Sequence, residues 1–129
     1  MKKILSLFFI ITCVTILNTG AHADWSHVAT SVSEDKYYVD FKRIRGNSSG
    51  KYFWYLTNYK EVDRFGDRSN VTYSLVECGA LKYKWLVVTY YASGMGKGKE
   101  NDHDPRETEW KYPTRGSVME RVLNRVCDY

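Results

Sequence analysis

The sequence predicts an α+β fold: an antiparallel β-sheet of about five or six strands, one C-terminal helix packed on it, and a helix-to-sheet disulfide. Three observations lead there. Beyond residue 23 the chain is mostly short runs of β-branched and aromatic residues separated by turn clusters. Its C-terminal end switches to a helical period. Cys78 closes one of the strand-like runs, and Cys127 lies on the helical stripe.

The chain opens MKKILSLFFIITCVTILNTGAHADW. Lys2 and Lys3 precede an apolar run from Ile4 to about Leu17, and Ala21 and Ala23 supply an A-x-A cleavage pattern. This is the form of a secretory signal peptide over residues 1–23, too short for a stable membrane span. Cys13 raises the alternative of a lipid anchor. Thr12 before it is larger than the small residue such a site carries, so simple cleavage before Asp24 is favoured. Removing 23 of the 129 residues leaves 106, a length for one domain, 24–129, with one modest core. The loss of two lysines lowers the net charge from +4 to +2, far from the strong field of a nucleic-acid binder. The destination is exported: periplasm, outer-membrane surface or medium. In such a compartment the isolated pair Cys78 and Cys127 reads as one disulfide.

The elements follow in order. A short strand is expected at WSHVATSV (25–32), then longer ones at KYYVDFKRIR (36–45), KYFWYLTNYK (51–60), VTYSLVEC (71–78) and KYKWLVVTYYA (82–92). A last short strand is expected at TEWKY (108–112). Alternation is cleanest in the run 71–78, where Val71, Tyr73 and Leu75 share a face opposite Thr72 and Ser74. Short connections such as GNSSG, DRFGDRSN and GAL favour antiparallel hairpins. In SVMERVLNRVC, Val118, Val122 and Val126 form one row with Met119, Leu123 and Cys127 beside it. Glu120, Arg121, Asn124 and Arg125 fall opposite, and Ser117 with Glu120 makes a capping box. The apolar stripe needs a partner, and one face of the sheet is the surface available.

Two stretches invite chemistry and do not support it. YYASGMGKGKEND (90–102) lacks the spacing and the hydroxyl of a phosphate-binding loop, so it reads as a hairpin-type connection. ENDHDPRE offers Glu100, Asp102, His103, Asp104 and Glu107 to a cation without the ordered oxygens and turning glycine of a calcium loop. A solvated acidic loop is expected there. A Cys–His nucleophile would need a thiol that the disulfide consumes, and neither His27 nor His103 comes with a nucleophile elbow. The expectation is a protein that is not an enzyme and has no cofactor or metal.

Aromatic content is the unusual feature. Beyond residue 23 stand 11 Tyr, 4 Trp and three of the five Phe, several on both faces of their strands. One helix covers one face, so aromatics on the other are interface material. Arg64, Arg68, Lys82 and Lys84, with Tyr83 and Trp85, are the expected partner-binding residues. Lys82 and Lys84, two apart on a strand, project to one side and belong at the surface.

YYVD (37–40), Cys78 closing a strand, GKG (96–98) after an aromatic strand, and VCDY (126–129) ending a helix occur in an order and spacing that resembles the surface-adhesin protein E family of Gram-negative bacteria. The resemblance implies an antiparallel sheet, a C-terminal helix and a disulfide between them, in an exported, non-enzymatic protein. It implies protein partners of the kind known members bind, namely host vitronectin, laminin or plasminogen, and the capacity to form a homodimer. The family's binding segment is basic and lies around the strand ending in the first cysteine, which here holds Arg64, Arg68, Lys82 and Lys84. The alternative function is a periplasmic inhibitor or accessory protein of an envelope or host enzyme.

Overall fold

The computed structural model describes residues 22–129. Cys13 and nearly all of the expected leader lie outside these residues, while the junction between Ala23 and Asp24 lies inside. Seven strands form one antiparallel sheet: β1 Ser26–Thr30, β2 Lys36–Val39, β3 Arg45–Asn47, β4 Gly50–Asn58, β5 Ser69–Glu77, β6 Lys82–Tyr91 and β7 Glu100–Asp104. Their order is β1-β2-β4-β5-β6-β7, with β3 also paired to β4. Among the described residues one α-helix, α1 Val118–Asp128, follows.

Three expected elements are corrected. Residues 36–45 are not one strand, because the chain curls at Asp40 into a 3-10 turn, Phe41–Arg43, between β2 and β3. The cause is local: the buried Asp40 carboxylate accepts from Arg43 Nε at 2.6 Å, and Asp40 O accepts from the Arg43 N–H at 3.2 Å. Both halves still pair with β4, at Val39↔Tyr55 and Arg45↔Tyr52. The second correction is the acidic stretch, which is β7 rather than a loop. Tyr90↔Asp102 and Val88↔Asp104 hold it against β6. Its exposed acidic side chains suit an edge strand that must not recruit another chain. The third is residues 108–112, which form no strand. Tyr83 and Lys111 exchange N–H···O bonds at 2.9 and 2.7 Å, but the Trp85 N–H is taken by the Thr108 hydroxyl at 3.0 Å, and the ladder stops.

The core lies between α1 and one sheet face. Val122, Leu123 and Val126 are fully buried against Val39, Phe53, Tyr55, Val76 and Tyr83. Ser117 Oγ accepts from the Glu120 N–H at 3.2 Å, while Glu120 reaches back to the Gly116 N–H at 3.1 Å rather than to that of Ser117. At the other end Lys51 Nζ donates to the carbonyls of Val126 and Cys127 at 3.2 and 3.0 Å, meeting the negative end of the helix dipole. Cys78 and Cys127 are bonded across 49 residues, pinning α1 to the sheet. The alternation in β5 has an inverted outcome. Thr72 and Ser74 point to the helix side and are buried, whereas Val71, Tyr73 and Leu75 face away. Their small size makes room for large neighbours in the rows Phe53–Ser74–Trp85 and Tyr55–Thr72–Val88.

Candidate binding surface

The glycine-rich turn after β6 is not a free connection. Its backbone is tied to the sheet by Met95 N–H to Asn58 Oδ1 at 2.8 Å and Gly96 N–H to Ser69 Oγ at 2.9 Å, and Ser69 Oγ donates to Ser93 O at 2.6 Å. It folds back over the sheet face that α1 leaves open. Gly96 has φ +67, and a Cβ there would stand 2.9 Å from Val71 Cγ2 and 3.4 Å from Leu56 Cδ1. Only glycine allows both the left-handed backbone and this approach. The turn explains why Leu56 is fully buried on a face with no helix.

The rest of that face stays open and is aromatic at its centre. Trp54 stacks on Tyr73 with ring centres 4.5 Å apart, and Tyr52 stacks on Tyr73 at 5.9 Å. The Arg43 guanidinium lies 5.2 Å from the Trp54 ring and 5.7 Å from that of Trp25. Register places Arg45, Tyr52, Leu75 and Lys84 side by side across β3, β4, β5 and β6. Beyond them the Lys82 and Lys84 ammonium groups stand 4.9 and 4.8 Å from the ring centre of Trp110, and Glu107 pairs with Lys84. Tyr52 is 40% exposed and Trp110 38%.

The six residues expected to bind a partner fall into three places. Lys82 and Lys84 are on the open face. Tyr83 and Trp85 are on the helix side, where Tyr83 is buried in the core and Trp85 carries Lys111 Nζ 3.5 Å from its ring centre. Trp85 also lines a groove of about 270 Å³ beside α1, with Tyr55, Tyr59, Tyr90 and Met119. Arg64 and Arg68 belong to the connection between β4 and β5, on the order of 25 Å from Lys82 along β5. Arg64 covers Phe65 at 4.7 Å, and Arg68 lines a cleft with Glu34, Lys36 and Lys60. Burial pushes the Tyr59 hydroxyl up to about 12 against the opposing hydrogen bond from Asn70, and pushes Tyr55 further. The Arg106 guanidinium holds the Asp104 carboxyl down at about 2. Sequence reasoning missed Arg43 and Trp25. Tyr52, Trp54 and Tyr73 were readable from alternation, but Arg43 reaches Trp54 only through the 3-10 turn.

What the fold and this surface define is a small α+β domain with one sheet face closed by a stapled helix and the other left open. The profile of the surface-adhesin protein E family matches residues 25–128, and the chain belongs to that family. Solved structures of Haemophilus influenzae protein E share the fold. One crystal form has a TM-score of 0.62 at 16% identity, covering 85% of this chain and 91% of that one. Another has a TM-score of 0.61 at 16% identity, covering 85% and 88%. A third, of the protein from a non-typeable strain, gives 0.56 at 17% identity over 85% and 79%. A sequence search of curated proteins finds no match. Among the described residues, no helix is long and apolar enough to cross a membrane.

Proposed function

We propose that the mature chain, residues 24–129, is an exported adhesin-type binding protein that docks a protein partner on its open sheet face. The observation that carries this reading is the half-exposed stack of Tyr52, Tyr73 and Trp54 flanked by Arg43, Arg45 and Lys84. Rigid aromatic rings ringed by cations are the composition of interface hot spots, because they bury large area at little entropic cost. Lys82, Lys84 and Trp110 form the rim on one side. Tyr83 and Trp85 support the same strand from beneath. Arg64 over the exposed Phe65, and Arg68 in its cleft with Lys36 and Lys60, give a second patch of cations for a partner long enough to span the sheet. Host matrix or plasma proteins such as vitronectin, laminin or plasminogen are the partners the family suggests, bound without catalysis or cofactor.

The test is capture of immobilised matrix and plasma proteins by the exported protein. Tyr52→Ala with Trp54→Ala should weaken capture at least tenfold. Lys82→Gln with Lys84→Gln should slow association and flatten its salt dependence. Arg64→Gln with Arg68→Gln reads the second patch separately. Unchanged capture by a folded Tyr52/Trp54 variant would sink the open-face reading. Capture of an envelope enzyme and of no host protein would favour the inhibitor alternative.

A further inference from the structure

Asp40 is 1% exposed, yet only one of its carboxylate oxygens is used. Oδ2 accepts from Arg43 Nε at 2.6 Å and from the Asp24 backbone nitrogen at 3.1 Å. Oδ1 is buried with no hydrogen-bond partner among the described residues. A buried carboxylate oxygen without a donor is costly, and a carboxylate has lone pairs for about four donors. The missing donor should therefore come from a group already beside it: Arg43 Nε is committed to Oδ2, and the Asp24 nitrogen, also on Oδ2, is the group whose number of N–H donors can grow. Asp24 is also the residue that the A-x-A pattern makes first in the exported chain.

We propose that Asp40 is the docking site for the α-ammonium group that signal-peptide removal creates on Asp24. Before cleavage that nitrogen is an amide with one N–H, already given to Oδ2. Hydrolysis of the Ala23–Asp24 bond adds water across it: the hydroxyl goes to the Ala23 carbonyl carbon and the remaining proton to the nitrogen, and the proton that the new Ala23 carboxyl gives up at neutral pH completes the ammonium. The product is an ammonium with three N–H donors and a positive charge. It keeps the bond to Oδ2, supplies a donor to Oδ1 and gives the buried carboxylate a second cation beside Arg43.

The new terminus is already held in place. The Asp24 side chain pairs with Lys42 Nζ at 2.6 Å, and the Trp25 ring lies against the Arg43 guanidinium. The charges around the nitrogen are Asp40, Arg43, the Asp24 carboxylate and Lys42, with Arg125 and Asp128 of α1 lining the cleft that Asp24 borders. Arg43 bridges Asp40 to Trp54, so the ammonium also consolidates one corner of the open face. The precursor, whose nitrogen has a single proton, lacks that corner's last bond. The inference rests on cleavage before Asp24 and is independent of what the face binds.

The experiment compares protein exported with its own leader against a variant carrying Gly-Ser inserted between Ala23 and Asp24, which moves the ammonium two residues away. Each is made with Asp40 intact and as Asp40→Asn. The expected results are a first residue of Asp24 by mass spectrometry and a Tm lowered by at least about 4 °C on insertion. The insertion should have no effect in the Asp40→Asn background. The α-amine of the uninserted protein should also react at least tenfold more slowly with an acylating reagent at pH 8, a measurement that stands even where Asp40→Asn fails to fold. A different first residue overturns the cleavage on which the inference rests. Asp24 first, with equal Tm values and equal amine reactivity, overturns the docking itself.

Discussion

Gly96 is where the backbone leaves least choice. Its positive φ disfavours a side chain, and the 2.9 Å approach to Val71 Cγ2 leaves no room for one unless a neighbour shifts. Gly96→Ala should cost about 1–3 kcal/mol through strain and displacement of the turn, read as a fall in Tm. The same turn covers Leu56, so the variant should also expose apolar surface to a hydrophobic dye. Single residues divide sharply in how far sequence revealed them. Lys82 and Lys84 were expected on one side at the surface by the cost of burying two ammonium groups; they do share a side, against Trp110, but are only partly exposed, and Lys84 is paired with Glu107. Thr72 and Ser74 reversed the usual reading of alternation, because small polar side chains fit beneath Phe53, Tyr55 and Trp85 where larger apolar ones would not. That preference for space over polarity depends on cross-strand neighbours, which one strand's sequence does not show.

At the scale of elements, α1 was legible from its period, its cap and its cysteine, since all three are local signals. Ser117→Ala should lower stability by about 1 kcal/mol, checked by denaturant unfolding, because it frees the Glu120 N–H. Cys78→Ser removes a constraint over 49 residues and should cost roughly 4 kcal/mol. In the wild type, thiol labelling should fail until reductant is added. The break at Asp40 was not legible: KYYVDFKRIR has strand composition throughout, and the turn exists because Asp40 is buried next to Arg43. The strand β7 was hidden for the opposite reason. Glu100–Asp104 has poor β-propensity, and pairing with β6 overrides it.

The whole molecule is a sheet with unequal faces, one closed by α1 and rich in buried and half-buried tyrosine. Burial raises the hydroxyls of Tyr37, Tyr55, Tyr59, Tyr83 and Tyr90 above their ordinary 10.0. The unfolded chain therefore loses these protons first. Stability is fully present below pH 10 and falls as pH rises from 10 through about 12, the value for Tyr59. Tyr59 alone should contribute about 1–2 kcal/mol of that loss, allowing for its partial exposure. Phenolate absorbance and the denaturation midpoint, followed together, would show it; a midpoint flat across this range would contradict the burial.

The staple joins a cysteine near the middle of the chain to one that follows every strand. A polypeptide leaving the cell N-terminus first delivers Cys78 to the oxidising side well before Cys127. For that interval the first thiol waits while β6 and β7 follow it across, with no helix yet to cover the sheet. In a chain exported as proposed above, locking thus waits for Cys127. It reports that the entire domain has crossed, and a chain stalled in transit would carry an unpaired thiol as the mark of its incompleteness.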